Sequence, residues 1–459
     1  MQTSNVELRT SNVEMKTRSL SLLQRSKFEV RRSTFAFSSI LCLFVLCAAP
    51  QARAQLHQYD TKYYTIYTDI DPDQEKEAAI RMTKMAEEYH ARTKGFSGEI
   101  HSKFPFYLYK SSAEYYAAGG MPGSAGVFMS SGSGGKLMAI AGQNSARQTW
   151  HTVQHEGFHQ FAHAVIGGDI PTWLNEGLAE YFGESIFTGD GFVTGLISPW
   201  RMQRLQGEIN EGDTLSIPQI MKISPQQWAS QLNIKEYDQA WSMVHFLVHA
   251  DDQKYQIPFS NCIREISKGR SFNQAWENTL GSTDGFEQRW KDWWLTQPKN
   301  PTATLYGKAA VSTMTSFVAR AYAQKQTFTD FEAFHTAVND DQLKISDEDW
   351  LPHALIVNNF RLYGDAPHWE LQSPPGKQPT VALTLTDGTR LTGSFVLRSS
   401  RVESINVDID DMAPAIKDAQ ALLDAGKKDQ AKALVQAKLH EIPKSAMAVD
   451  ARKFLQSCR

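Results

Sequence analysis

Residues 147–182 read RQTWHTVQHEGFHQFAHAVIGGDIPTWLNEGLAEYF, and within them His155, Glu156 and His159 form an H-E-x-x-H. On an α-helix, residues four apart lie one above the other, so both imidazoles reach one point in space, as in helices that hold a metal ion. The apolar residues Trp150, Val153, Phe158, Phe161 and Val165 recur at helical steps, with Gly157 the one position that costs helix propensity. Glu156 projects to the side of the pair, where it reaches a metal-bound water without being a ligand. After two glycines and Pro171, a second helical pattern carries Asn175, Glu176 and Glu180. The doubling back of the chain makes Glu176 the best candidate for a third ligand.

Two imidazoles and one carboxylate leave a coordination position for water, the arrangement of a catalytic rather than a structural zinc. Zinc lowers the pKa of such a water and polarises a carbonyl. Glu156 would take the proton as water attacks and return it to the leaving amine, which is what peptide hydrolysis requires. Glu180 shares a helical face with Glu176 and is expected to accept a hydrogen bond from the outward nitrogen of His155. Two other readings of Glu180 stand beside that one: third ligand in place of Glu176, or a solvated surface carboxylate. The oxyanion of the tetrahedral intermediate needs a donor. Tyr237 and His245, two turns apart on the helix read at Glu236–Ala250, are the candidates, Tyr237 preferred. Trp241 lies between them on that face, so plain packing is an equal reading for all three. His151, His163 and His249 read as ordinary polar or half-buried histidines.

The chain has 459 residues, room for two or three domains, and with 41% hydrophobic and 21% charged residues it has the composition of a globular protein. Lys27, Arg31 and Arg32 precede an apolar run from Phe35 to Pro50, and Ala52-Arg53-Ala54 reads as a small-x-small cleavage site. Residues 1–54 are therefore read as a signal peptide with an extension. The expected location is outside the cytoplasm, periplasmic or extracellular, with no stable membrane span in the mature form. That segment carries eight Lys or Arg and three Asp or Glu, so a net charge of −3 for the whole chain becomes about −8 without it. Such a balance argues against a nucleic-acid partner. Cys262 and Cys458 alone follow the segment, which excludes a disulfide-rich scaffold and leaves room for one bridge.

In chain order, Lys62–Ile70 reads as a strand, Asp71 onward as a helix, Phe104–Tyr109 as a second strand, and Ala113–Ala118 as a short helix. The glycine-rich residues 119–140 are either a hairpin or loop, or an edge strand beside a cleft with arms Gly126–Met129 and Leu137–Ile140. An exposed strand edge can pair with an extended peptide. Ser198–Ile209 begins with a cap and a proline, and further helices run to Trp294. The expected class is α+β: residues 55–297 as a two-lobed body with a mixed sheet and a helical lobe, then 298–372 as a mixed helical extension. Residues 378–410, with Asp387-Gly388 at a hairpin turn, read as a small β-module, a barrel being one form of it. Residues 412–459 read as a tetratricopeptide-like helical hairpin, which must pack on its neighbour or on a partner.

H-E-G-F-H followed by P-T-W-L-N-E-G-L-A-E-Y-F resembles the gluzincin branch of the zincin metallopeptidases, and in particular its secreted bacterial members whose domain is of unknown function. The resemblance implies a two-lobed fold with the active-site helix at the cleft, zinc on His155, His159 and Glu176, and Glu156 as base. Thermolysin-like relatives have an aspartate four residues beyond the ligand glutamate, where this chain has Glu180. The similarity extends from about Tyr63 to Trp294 and is specific only across His155–Phe182. There are 16 residues between His159 and Glu176, shorter than in thermolysin-like or aminopeptidase relatives, and no G-x-M-E-N signature precedes them. The expected activity is that of an endopeptidase-like zinc hydrolase acting on peptide or protein. The alternatives are a zinc-dependent amide hydrolase of cell-wall material, and a non-catalytic peptide-binding or scaffold protein that retains the fold.

Overall fold

The computed structural model describes residues 56–130, 135–142, 145–231, 233–363 and 368–458. The signal-peptide reading of residues 1–54 lies outside them. A five-stranded sheet is built from β1 (His57–Asp60), β2 (Tyr64–Thr68), β3 (Phe104–Tyr109), β4 (Gly126–Met129) and β5 (Lys136–Ile140), in the order β1-β2-β3-β5-β4. Along β2 the alternation buries Tyr64, Ile66 and Thr68. Helix α1 (Pro72–Thr93) begins where the Asp71 side chain accepts from the Gln74 N–H at 3.1 Å. It buries Ala78, Met82, Met85 and Tyr89 and crosses over to β3, which pairs parallel with β2. The short helix α2 (Ser112–Ala117) follows, then a hairpin in which β4 pairs antiparallel with β5 and forms one edge of the sheet. The glycine-rich stretch is thus both a hairpin and an edge strand.

Helix α3 (Ala146–Phe161) is opened by a capping box between Ser145 and Gln148 and passes into a π-helical turn at Ala162–Ile166. Its Gly157 has a packing reason: a Cβ there would come within 3.2 Å of Met82 Cε and 3.1 Å of the Tyr89 hydroxyl on α1. There follow α4 (Thr172–Gly183), a hairpin of β6 (Ile186–Phe187) and β7 (Phe192–Val193), then α5 (Pro199–Glu211), α6 (Ile217–Ile220) and α7 (Pro225–Gln231). Next come α8 (Ile234–Gln253), which leaves regular helical backbone at Ala250, α9 (Gln256–Ser267), α10 (Phe272–Leu280) and α11 (Phe286–Leu295). The architecture is α+β with a mixed sheet, and one hydrophobic core runs from Tyr64 to Trp294 through Phe158, Trp173 and Trp241. Sheet and helices therefore close around α3 and α4 together.

Beyond Pro298 the chain departs from the expected segmentation. Helix α12 (Ala303–Ala323) is followed by α13 (Phe331–Asn339), α14 (His353–Tyr363) and a four-stranded antiparallel sheet. Its strands are β8 (Trp369–Gln372), β9 (Thr380–Thr384), β10 (Arg390–Arg398) and β11 (Arg401–Asp410), in sequential order. Val311 of α12 packs with Leu383 and Leu391, so the helical extension and the β-module share a core, and the sheet is open with a helix on one face rather than a barrel. Arg320 of α12 bridges Asp190, between β6 and β7, and Asp349. The C-terminal hairpin of α15 (Met412–Asp424) and α16 (Lys428–Glu441) is covered by a third helix, α17 (Ala448–Ser457), through Ala451 and Phe454. This helix packs on the hairpin's apolar face from within the chain. Cys262 and Cys458 are both free and buried in different cores, so no bridge joins them. No helix among the described residues is long and apolar enough to cross a membrane.

Candidate metal centre

Helices α3 and α4 pack side by side and bring three donor atoms together. His155 Nε2 lies 3.1 Å from His159 Nε2 and 3.3 Å from Glu176 Oε2, and the third side, His159 Nε2 to Glu176 Oε2, is 3.5 Å. Ligands about 2.0–2.1 Å from a tetrahedral zinc stand about 3.3 Å apart, so this triangle fits one ion. Burial opposes charge on Glu176, but the two imidazoles outweigh it and draw its carboxyl down to about 2. Burial would likewise keep His155 neutral, and the Glu176 and Glu180 carboxylates override it and raise its pKa well above the ordinary value. His159 shifts upward for the same reasons, Glu176 being the main opposing charge.

Glu180 lies beside the outward nitrogen of His155. His155 Nδ1 lies 3.1 Å from Glu180 Oε1, which orients the ring so that Nε2 faces the shared point. The other Glu180 oxygen meets Arg201 Nη1 at 2.7 Å. Arg201, 3% exposed on α5, also reaches Glu184 Oε1 at 2.9 Å and Asp238 Oδ1 at 2.7 Å, and its guanidinium lies over the Trp241 ring. Against the cost of burial, Arg201 first and then the histidines hold Glu180 well below the usual carboxylate range. His151, Glu180 and Glu184 form a second group with metal-ligand spacing. Arg201 already places a cation between both carboxylates, so this group is a salt-bridge network and not a second ion site.

Glu156 leaves the ligand triangle and points to the sheet, where the Phe128 backbone N–H donates to its Oε2 at 2.8 Å. This contact needs β4 to run close over α3. Gly126 permits it, because a Cβ there would fall 2.5 Å from Thr152 Cγ2 and 3.3 Å from Glu156 Cγ. Tyr237 faces the site, its ring centroid 6.4 Å from that of His155 and 5.1 Å from that of Trp228. Burial, then the nearby Glu176, raises its hydroxyl above the ordinary value, so it stays a proton donor. His245 is different. It is 1% exposed, ringed by Tyr181, Trp241, His249 and Trp294, and burial drives its pKa well below the ordinary value. No metal-ligand candidate is among its ring neighbours, so the reading of His245 as an oxyanion donor gives way to that of a core residue.

Sequence reasoning missed Arg201, Glu184, Asp238, the Phe128 amide and the contact of His151 with Glu180 at 3.5 Å. A signal was present for Arg201 and Asp238. Arg201 is in step with Leu205 and Ile209 on α5, and Asp238 with Trp241 and His245 on α8, so each is a charge on an apolar face that has to be paired.

Residues 149–271, from α3 into the turn after α9, match a family model described as "Protein of unknown function (DUF1570)". No curated protein matches the chain.

Proposed function

We propose that the protein is an exported zinc-dependent peptidase of the gluzincin type that hydrolyses internal peptide bonds. The observation that carries this reading is the triangle of His155, His159 and Glu176 donor atoms with sides of 3.1, 3.3 and 3.5 Å. It has the size of one face of a zinc coordination tetrahedron. Those three residues would hold the ion, which when bound acidifies water and polarises a carbonyl.

The chain's own groups do the rest. Glu156, steadied by the Phe128 N–H, is the base that takes a proton from the attacking water and passes it to the leaving nitrogen. Glu180, neutralised by Arg201, keeps the His155 ring in the orientation that presents Nε2. Tyr237 supplies an O–H toward the charge that develops on the substrate carbonyl. The outer edge of β4 gives an extended peptide main-chain partners beside Glu156.

The test is a peptide-library digest with the purified protein, repeated after chelation and after zinc is restored, with Glu156→Gln in parallel. Cleavage that disappears with chelator, returns with zinc and is lost in a zinc-replete Glu156→Gln protein supports the proposal. A fully zinc-loaded wild-type protein that cuts nothing in the library overturns it.

A further inference from the structure

Beyond His159 the helix does not simply stop. It widens into the π-helical turn Ala162–Ile166 and then reverses at Gly167 and Gly168, both with positive φ. The widened turn and the short connection to α4 leave a pocket of about 250 Å³ directly beside the ligand triangle, since His159 and Glu176 themselves line it. Phe128 of the edge strand, Ala162 and Ile170 give it apolar walls beside the polar side chains of His159, Asn175 and Glu176. The His163 ring packs against Phe128 at 5.6 Å and extends that wall. Asp169 also lines the pocket, and it is exposed and in no ion pair among the described residues.

Asp169 stands apart from the other carboxylates near the pocket in lacking an ion-pair partner among the described residues. An ion of charge +2 held by the triangle would be matched by Glu176 and Glu156, and Glu180 is paired with Arg201. Asp169 is the carboxylate around the pocket with no such balance. A side chain entering beside the scissile bond meets apolar walls along its stem and a free anion near its head. That combination suits an aliphatic stem ending in a cation.

We infer that this pocket selects substrates with lysine or arginine at a residue flanking the scissile bond, and that Asp169 is the residue that sets the preference. The inference rests on the peptidase reading and refines it. Acidic side chains are disfavoured there by repulsion, and short ones leave the apolar walls unfilled.

The experiment is a mixture-based peptide digest with the purified zinc-loaded protein and its Asp169→Asn and Asp169→Lys variants, with the zinc content of each measured. The expected wild-type result is enrichment of Lys and Arg over neutral residues of similar length at a flanking position. The enrichment falls about fivefold in Asp169→Asn, the upper end for a partly exposed ion pair. In Asp169→Lys, the preference turns toward Asp and Glu. Cleavage without basic enrichment, or an unchanged preference in a zinc-replete Asp169→Lys protein, overturns the inference and leaves the peptidase reading standing. No cleavage by zinc-loaded wild-type protein overturns both.

Discussion

Arg201 Nη1 lies 2.7 Å from Glu180 Oε2, joining helix α5 to the carboxylate that orients His155. This contact adds a charged tie between the candidate metal centre and the helical part of the core, beside the packing of α4 on α8. Arg201→Met would leave Glu180 and Glu184 buried without their closest cation and Asp238 with Arg204 alone, an arrangement that costs about 3–5 kcal/mol. Arg201→Lys keeps the charge but loses the fork, and its loss should be smaller. Denaturant unfolding measures both. In protein that remains folded, chelator competition should show zinc affinity about 10–100-fold weaker, the usual effect of losing a group behind a ligand.

The three ligand candidates and Glu180 should separate in metal content. Glu176→Ala removes a corner of the triangle, and the purified protein should come without stoichiometric zinc. Glu180→Ala should retain zinc with about 10–100-fold weaker affinity. Zinc should also stabilise the folded protein by about 2.7 kcal/mol at a free concentration one hundred times its Kd, read as a raised unfolding midpoint. Equal metal content in the two variants would contradict the assignment of Glu176 as ligand and Glu180 as its support.

Tyr237 and His245 give opposite expectations although they are two turns apart on one helix. Tyr237→Phe should lower kcat about 100-fold or more with little change in stability, since it removes a donor and no packed volume. His245→Phe should change kcat by less than about threefold, because its ring neighbours are core aromatics and not the donor triangle. Steady-state kinetics on one cleaved peptide measures both.

Glu208 on α5 predicts a pH dependence of stability. It is 6% exposed, neither carboxylate oxygen has a hydrogen-bond partner among the described residues, and burial, then the Asp238 charge, pushes its pKa up from 4.5 to about 7. Between those two values the folded state binds more protons than the unfolded state. The contribution of Glu208 is thus fully present below about pH 4.5 and is lost as pH rises through 7. Glu208→Gln should flatten this slope and be the more stable protein at pH 8, by on the order of 1 kcal/mol. Urea unfolding of both proteins at pH 5, 6, 7 and 8 gives the comparison, and parallel curves would refute the assignment.

What the amino-acid order determined by itself was local and periodic. The spacing of His155 and His159, the Asp71-Pro72 start of α1, the alternation in β2 and the Asp387-Gly388 turn each depend on a few neighbouring residues, so each could be read directly. Glu176 and Glu180 were legible because α3 and α4 are adjacent in the chain and joined by a short loop. Tertiary structure alone decided the contacts between residues far apart in sequence. It paired Arg201 with Glu180, brought the Phe128 N–H to Glu156, closed the core around His245, and laid α12 under the β9–β11 sheet. Helical spacing states which residues share a face. It does not state what that face meets, because the partner is selected by burial of apolar area and pairing of charge across the whole fold.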